Sequence, residues 1–422
     1  MDDENGRSEQ IAEAADTHMQ CSPAREIQEA DDVNLLPTGA WELPEELVML
    51  RETVRRFMDA EVRPLEEALP HDTAGLSNEL LVPLQQKARD LGLWSLSTPV
   101  EYGGAGLSLL AQAIVAEEAA KCRMGAHFPA LGAFGGNPPS VLFQARPDQW
   151  ERYGRPIVEG SATRPFNAVT EATGGSDPAR AIQCRAVLDG DYYVLNGTKM
   201  FITHVGRAKW GIVYARTGEV GKRGGISCFI VDMDIEGVTC RPIDVMTSYS
   251  PFEINFDNAR IPVTNMIGEE GQGFALADGF LVKARAIYAA GPIGIAQNAL
   301  DLAVVWAKER KTFGVLLSER QTIQNMVVDC VTELSAARLL IYQAAWAADL
   351  GKDFRIEASL AKMYGTDAAF RIVDRCIQIL GGMGVTHEMP LERWLRELRI
   401  KRLGEGTAEI QQMIIARSIF GK

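Results

Sequence analysis

Ala186-Val187-Leu188-Asp189-Gly190-Asp191-Tyr192-Tyr193-Val194-Leu195 sets two short apolar and aromatic runs on either side of an Asp-Gly turn. Asp-Gly takes the positive φ that a tight turn needs, and β-branched and aromatic residues suit a pleated, half-buried surface, so the stretch predicts a β-hairpin. Working outward, runs at Gly211 to Ala215, Ile226 to Val231 and Phe252 to Phe256 continue the pattern. Residues 161–272 are therefore predicted to be a middle domain of several antiparallel strands. On both sides the period becomes helical. Leu50, Val54 and Phe57 recur at helical spacing, Pro44 suits the first residue of a helix, and Leu81 to Leu91 reads as a further helix before the Gly103-Gly104-Ala105-Gly106 turn. Downstream, Leu300, Ala303, Val304 and Ala307, then Val373, Cys376, Ile377 and Leu380, mark helices long enough for a bundle. The predicted fold is α+β: an N-terminal all-α domain over 41–160, the antiparallel β domain over 161–272, and a C-terminal four-helix bundle over 273–422.

At 422 residues and 46% hydrophobic, the chain is long enough for two or three cores. Its formal net charge of -13 disfavours nucleic acid as a partner, although a local basic pocket for a phosphate-bearing substrate is compatible with it. Residues 1–40 hold ten acids against Arg7 and Arg25, with few large apolar residues, and are predicted to be a disordered acidic tail. No apolar run approaches the roughly 18 residues of a membrane span, and neither a signal nor a transit pattern is read at the start, so a cytoplasmic protein without membrane insertion is expected. Seven cysteines (21, 122, 184, 228, 240, 330 and 376) show no short paired spacing, which argues against a zinc site or a disulfide framework. No metal is expected.

The chemistry is placed at Leu403-Gly404-Glu405-Gly406-Thr407-Ala408-Glu409-Ile410. Here an acid stands between two glycines just ahead of an apolar-periodic helix that Thr407 can cap. Taken alone, Gly-Glu-Gly reads most simply as a loop acid complementing a helix dipole.

Five separated motifs change that reading, because together they make residues 41–420 resemble an acyl-CoA dehydrogenase. Pro99-Val100-Glu101-Tyr102-Gly103-Gly104 resembles the family's N-terminal Gly-Gly turn. Val169-Thr170-Glu171 through Gly174-Gly175-Ser176-Asp177 is similar to its first flavin-contacting segment, and Asn196-Gly197-Thr198-Lys199-Met200-Phe201-Ile202-Thr203 to the second. Arg310-Lys311-Thr312-Phe313-Gly314 with Gln321, and Gln378-Ile379-Leu380-Gly381-Gly382, resemble the later segments, the last preceding Glu405 at family-like spacing.

The resemblance implies FAD held by Val169, Thr170, Phe201, Ile202, Thr203, Arg310, Thr312, Phe313, Gln321, Gln378, Gly381, Gly382, Thr407 and Glu409. Arg310 and the 378–382 segment would reach the FAD of a neighbouring subunit, implying a homotetramer. It implies acyl-CoA as substrate, contacted by Ser176, Arg285 and Gly406, and electron-transfer flavoprotein as electron acceptor. It makes Glu405 the base that removes the α-proton while the β-hydride goes to flavin N5, giving a trans-2-enoyl-CoA. Such a base must be made more basic by desolvation, and the enolate-like carbonyl needs fixed donors, which the resemblance assigns to the Glu405 N–H and a ribityl hydroxyl. Thr170 and Thr203 would bond the flavin edge, and Lys308, Arg310 and Lys311 form a basic cluster suited to a pyrophosphate. The chain departs from the family pattern at Gly404, where Tyr is common, after Glu171, where Ala-Thr replaces a frequent Pro, and at His204, where Asn is frequent. Residues 281–285 offer no acid, where some members carry the base. Two other readings stand beside this one: a flavin oxidase of the same fold acting on an acyl-CoA or a nitroalkane, and a non-catalytic FAD-bound member.

Overall fold

The computed structural model describes residues 42–219 and 224–421, so the predicted acidic tail, 1–40, lies outside the described residues. The chain begins with helix α1 (Glu45–Phe57), for which Pro44 is the N-cap, one position before the start expected for it. A π-helical turn, Met58–Val62, continues α1, and α2 (Asn78–Asp90) and α3 (Leu109–Ala119) follow. Val54, Phe57, Leu84, Ala88 and Val115 bury their side chains in one core shared by these helices. Burial of about 1.5–3 kcal/mol per large apolar side chain is the main force holding such a layer.

The strands are β1 (Phe166–Ala168), β2 (Arg185–Asp189), β3 (Tyr192–Ile202), β4 (Trp210–Arg216), β5 (Ile226–Asp232), β6 (Val238–Pro242), β7 (Phe252–Pro262) and β8 (Met266–Ile267). Their order is β6-β7-β3-β2-β4-β5-β8, with β1 also on β4. The predicted hairpin is present, with Ala186 opposite Leu195 and Asp189 opposite Tyr192. The sheet departs from the antiparallel expectation at one seam, since β1 and β2 both run parallel to β4. The chain reaches β4 from either of them only by way of other structure, not a tight turn, and such a crossover permits parallel pairing. On β4, Trp210, Ile212 and Tyr214 join Trp150 and Tyr153 on one face, while Val213 and Ala215 join Phe166 and Phe256 on the other. Both faces are covered, hence the continuous apolar run in place of alternation.

Four long helices follow: α4 (Gly273–Tyr288), α5 (Ala290–Glu309), α6 (Gln321–Asp349) and α7 (Arg355–Leu380). The hairpin β9 (Lys311–Thr312) and β10 (Val315–Leu316) interrupts them, and α8 (Leu391–Lys401) and α9 (Ala408–Phe420) close the chain. Ala296, Ala303, Ala337, Ala344, Ala361 and Ala368 line the bundle core, whose small residues let the helices approach closely.

The first and last helical layers are joined by polar contacts. Asp349 accepts the N–H groups of Leu109 and Leu110 at 2.6 and 3.0 Å, satisfying two donors at the start of α3. Buried Glu117 on α3 pairs with Arg338 at 2.7 Å and accepts the Tyr342 hydroxyl at 3.0 Å. Elsewhere His71, His387 and Glu392 bring possible ligand atoms within 4.8 Å of one another. Arg396, however, already engages both oxygens of Glu392, at 2.8 and 3.0 Å.

Candidate active site

Glu405 lies in the turn between α8 and α9. Thr407 caps α9, its hydroxyl accepting the Ile410 N–H at 3.4 Å. The permissive backbone was expected of the flanking glycines, yet Glu405 itself sits in the left-handed region, with φ 56, followed by Gly406 at φ 91. A non-glycine residue there costs on the order of 1–2 kcal/mol, and surrounding contacts must impose it. They do so through the carbonyls. Arg285 Nε donates to the Glu405 carbonyl at 2.9 Å, and Gln411 Nε2 donates to the Glu405 and Gly406 carbonyls, each at 3.1 Å. Lys362 Nζ donates to the Gly406 carbonyl at 2.7 Å and to that of Arg402 at 2.9 Å. Gly404 serves a different end: a Cβ there would lie 2.3 Å from the Tyr288 hydroxyl. The common family Tyr is thus excluded at 404 because a Tyr from α4 occupies its place.

With the carbonyls held inward, the Glu405 N–H donates to no group among the described residues. The residue is half-buried, and its Oε2 is shielded from solvent with no hydrogen-bond partner. Burial raises its pKa, while Arg285, Lys401, Lys362 and Arg164 draw it back. A desolvated carboxylate kept within reach of ionisation is the electrostatic condition of a general base. Burial also pushes the neighbouring Tyr288 phenol up, and lowers Lys362 and Lys401 to about 8 each.

The β domain presents a second group. Buried Lys199 donates to Glu171 at 2.7 Å and to the Val169 carbonyl at 3.0 Å, and Met200 N donates to the Thr170 carbonyl at 2.9 Å. These bonds bring the two segments that the sequence singled out side by side. Phe201, at φ 59, is 55% exposed, and Thr203 is exposed next to it. The Ile202 side chain enters the sheet core with Leu195 and Phe256, because alternation along β3 sends it opposite to Phe201, so any contact it makes with a cofactor is through its main chain. Ser176 is exposed in the loop after Glu171.

A third group lies on the bundle. Arg310, Thr312, Gly381 and Gly382 line one cavity of about 570 Å³ with Trp306 and Leu317. Gln321 and Gln378 are exposed and are not among its lining residues, and neither is Glu409, exposed in the first turn of α9. Phe313 stands at the tip of the β9–β10 hairpin, at φ 51 and 100% exposed.

The sequence reading missed Lys362, Gln411, Tyr288 and Lys401. For Lys362 a signal existed, since it is a lone cation in the buried stripe of Ala358, Ala361, Gly365 and Ala369. Nothing local marks Tyr288, whose role depends on a glycine more than a hundred positions away.

A helical layer, a mostly antiparallel sheet and a long-helix bundle, with a half-buried acid in the turn between α8 and α9, make up the described chain. Residues 44–161, 167–259 and 271–420 match the N-terminal, middle and C-terminal domains of acyl-CoA dehydrogenase. The chain belongs to the acyl-CoA dehydrogenase family. It is 38% identical over 381 residues to the mitochondrial short-chain specific acyl-CoA dehydrogenase of Homo sapiens, covering 89% of this chain and 90% of that one. Butyryl-CoA dehydrogenase of Megasphaera elsdenii superposes with a TM-score of 0.80 at 30% identity, over 90% of this chain and 100% of its own. A chain solved in work on the electron transferring flavoprotein of Acidaminococcus fermentans does so with 0.79 at 30% identity, over 91% and 100%. The protein is an oxidoreductase acting on CH–CH bonds, with acyl-CoA dehydrogenation as its general reaction and FAD as its cofactor. The exposed Phe201 and Thr203 beside Thr170 offer an aromatic surface and hydroxyls to a flavin ring, and the Arg310 cavity offers a guanidinium to phosphate. Among the described residues no helix is long and apolar enough to cross a membrane.

Proposed function

We propose that Glu405 is the base that removes the α-proton of a bound acyl-CoA, and that the product is the trans-2-enoyl-CoA. The observation that carries this is the Oε2 of Glu405, shielded and unpartnered at the end of a loop pinned by Arg285, Lys362 and Gln411. The thioester carbonyl is received by the undonated Glu405 N–H, which polarises it as the proton leaves. FAD, when bound, supplies the acceptor for the β-hydrogen, leaving as hydride. Thr170 and Thr203 orient the flavin edge, Phe201 lies against it, and Ser176 meets the CoA moiety. Arg310, Thr312, Phe313, Gln321, Gln378, Gly381 and Gly382 complete the FAD site of a neighbouring subunit in a homotetramer. The bare Phe313 and the cavity on the outer bundle support that arrangement. Electron-transfer flavoprotein as the acceptor and a cytoplasmic setting belong to the same proposal.

The test is Glu405→Gln, near-isosteric and unable to accept the proton. Flavin reduction by a good acyl-CoA under anaerobic conditions is expected to slow by at least about 10³-fold while the acyl-CoA still perturbs the flavin spectrum. Reduction at close to the parental rate would place the base elsewhere.

A further inference from the structure

We infer that the acyl group accepted here carries its own negative charge, a carboxylate beyond the carbon that Glu405 deprotonates. The inference rests on the assignment of Glu405 as base. Four cations act on that acid: Arg285, Lys401, Lys362 and Arg164. Two are committed to the main chain, Arg285 to the Glu405 carbonyl and Lys362 to the carbonyls of Arg402 and Gly406. Neither Lys401 nor Arg164 makes a hydrogen bond or ion pair among the described residues, although Lys401 lies close enough for each charge to act on the other. Lys401 Nζ rests 5.1 Å from the centre of the Tyr288 ring. The acid one turn back on α8, Glu397, is paired through Oε1 with Arg393 at 2.9 Å, while its Oε2 is shielded without a hydrogen-bond partner and its charge acts on Lys401 without a hydrogen bond to it. Both free cations remain accessible to a ligand, Lys401 being half-buried and Arg164 exposed.

His127 has an Nε2 that is shielded and unpartnered, and Lys401, Arg393 and His204 all act on its ring. His127 lies tilted against Tyr249, with ring centres 5.8 Å apart, and the Tyr249 hydroxyl accepts the main-chain N–H of His204 at 2.6 Å. Arg164, Lys401 and Arg207 in turn act on His204, while Arg207 is tied to the Leu76 carbonyl at 2.8 Å. A hydrocarbon chain laid here would strip water from Lys401 and Arg164 and offer nothing in return. Lys401 feels Glu405 and the Glu397 that Arg393 already pairs, and Glu405 is the one carboxylate that acts on Arg164, so neither cation has a hydrogen-bonded anion of its own among the described residues. A carboxylate on the substrate supplies one, and pairs with donors that a methyl group leaves bare.

The experiment compares succinyl-, glutaryl- and adipyl-CoA with butyryl-, pentanoyl- and hexanoyl-CoA on the FAD-loaded enzyme. Anaerobic flavin reduction gives kcat/KM, and spectral perturbation gives Kd. At least one carboxyacyl thioester is expected to exceed every neutral one by about 100-fold or more in kcat/KM. Lys401→Met is expected to shrink that ratio by about 30-fold or more, Arg164→Gln to shrink it too, and Lys401→Arg to keep most of it. Because Arg164 is exposed, its variant reads the charge even if Lys401→Met folds poorly. A preference for neutral chains, or a ratio untouched by both charge-removing variants, overturns the inference. If no thioester of either kind reduces the flavin, the dehydrogenase reading of Glu405 fails, and the Kd ratio alone decides whether an anion site is present.

Discussion

Arg285 Nε meets the main-chain carbonyl of Glu405 at 2.9 Å, so the arginine grips the backbone of the acid and leaves the carboxylate open. Its charge still lowers the Glu405 pKa against the rise caused by burial. Removing it as Arg285→Gln is expected to lower kcat by about 10- to 100-fold, through a loosened loop, with FAD content unchanged. The base must be ionised to act, and loss of the cation raises its pKa, so the acidic limb of kcat/KM should move to higher pH. A limb that stays in place would mean that Arg285 does not act on the carboxylate.

The 2.3 Å approach of the Tyr288 hydroxyl to a Cβ at Gly404 makes a reciprocal prediction. Gly404→Ala is expected to destabilise the protein by about 1–3 kcal/mol, as overpacking does, and the double variant with Tyr288→Phe should recover part of that loss. Additive losses in denaturant melts would show that the two positions do not share this space.

Burial, first of all, holds His127 and His204 at about 3 from an ordinary 6.5. Both pKa values are depressed in the folded state, so the unfolded chain binds protons that the native chain refuses. The stability they contribute is complete above about 6.5 and is lost as pH falls toward 3, by at most about 1.4 kcal/mol per pH unit for each histidine. The Tm should therefore drop between about pH 7 and pH 5, and less steeply in His127→Gln. Equal slopes for variant and parent would contradict the assignment.

Phe313 is bare at φ 51, beside the cavity that Arg310 lines. If the hairpin completes a neighbour's site, Phe313→Asp should lower both the oligomer mass in light scattering and the FAD bound per chain, whereas Arg310→Gln should lower FAD alone. A Phe313→Asp protein of parental mass and full FAD would remove the hairpin from the interface.

The hairpin at 185–202, the long helices and the cap at Thr407 were legible because each is written in neighbouring residues: a turn dipeptide, a 3.6 period, a hydroxyl three positions ahead of its N–H. The inward turn of the Ile202 side chain was legible too, since period-two alternation sets it opposite to Phe201. The seam of β1 and β2 on β4 was hidden, because Phe166 meets Gly211 across a gap that no local pattern spans. So were the anchors of the base: Arg285 is 120 positions from Glu405 and Lys362 is 44 from Gly406. Only packing reveals such pairs.

Arg285, Lys362 and Gln411 reach the Glu405 turn from α4, α7 and α9 respectively. The acid is therefore suspended from three helices at once, and its position registers any slip between them. Gly365 on α7 is one place to see this, since a Cβ there would come 2.6 Å from Ala289 Cβ at the end of α4. A methyl group added at 365 would push those helices apart and carry the carboxylate with them. Turnover would then serve as a strain gauge for the bundle, registering loosened packing well before melting does.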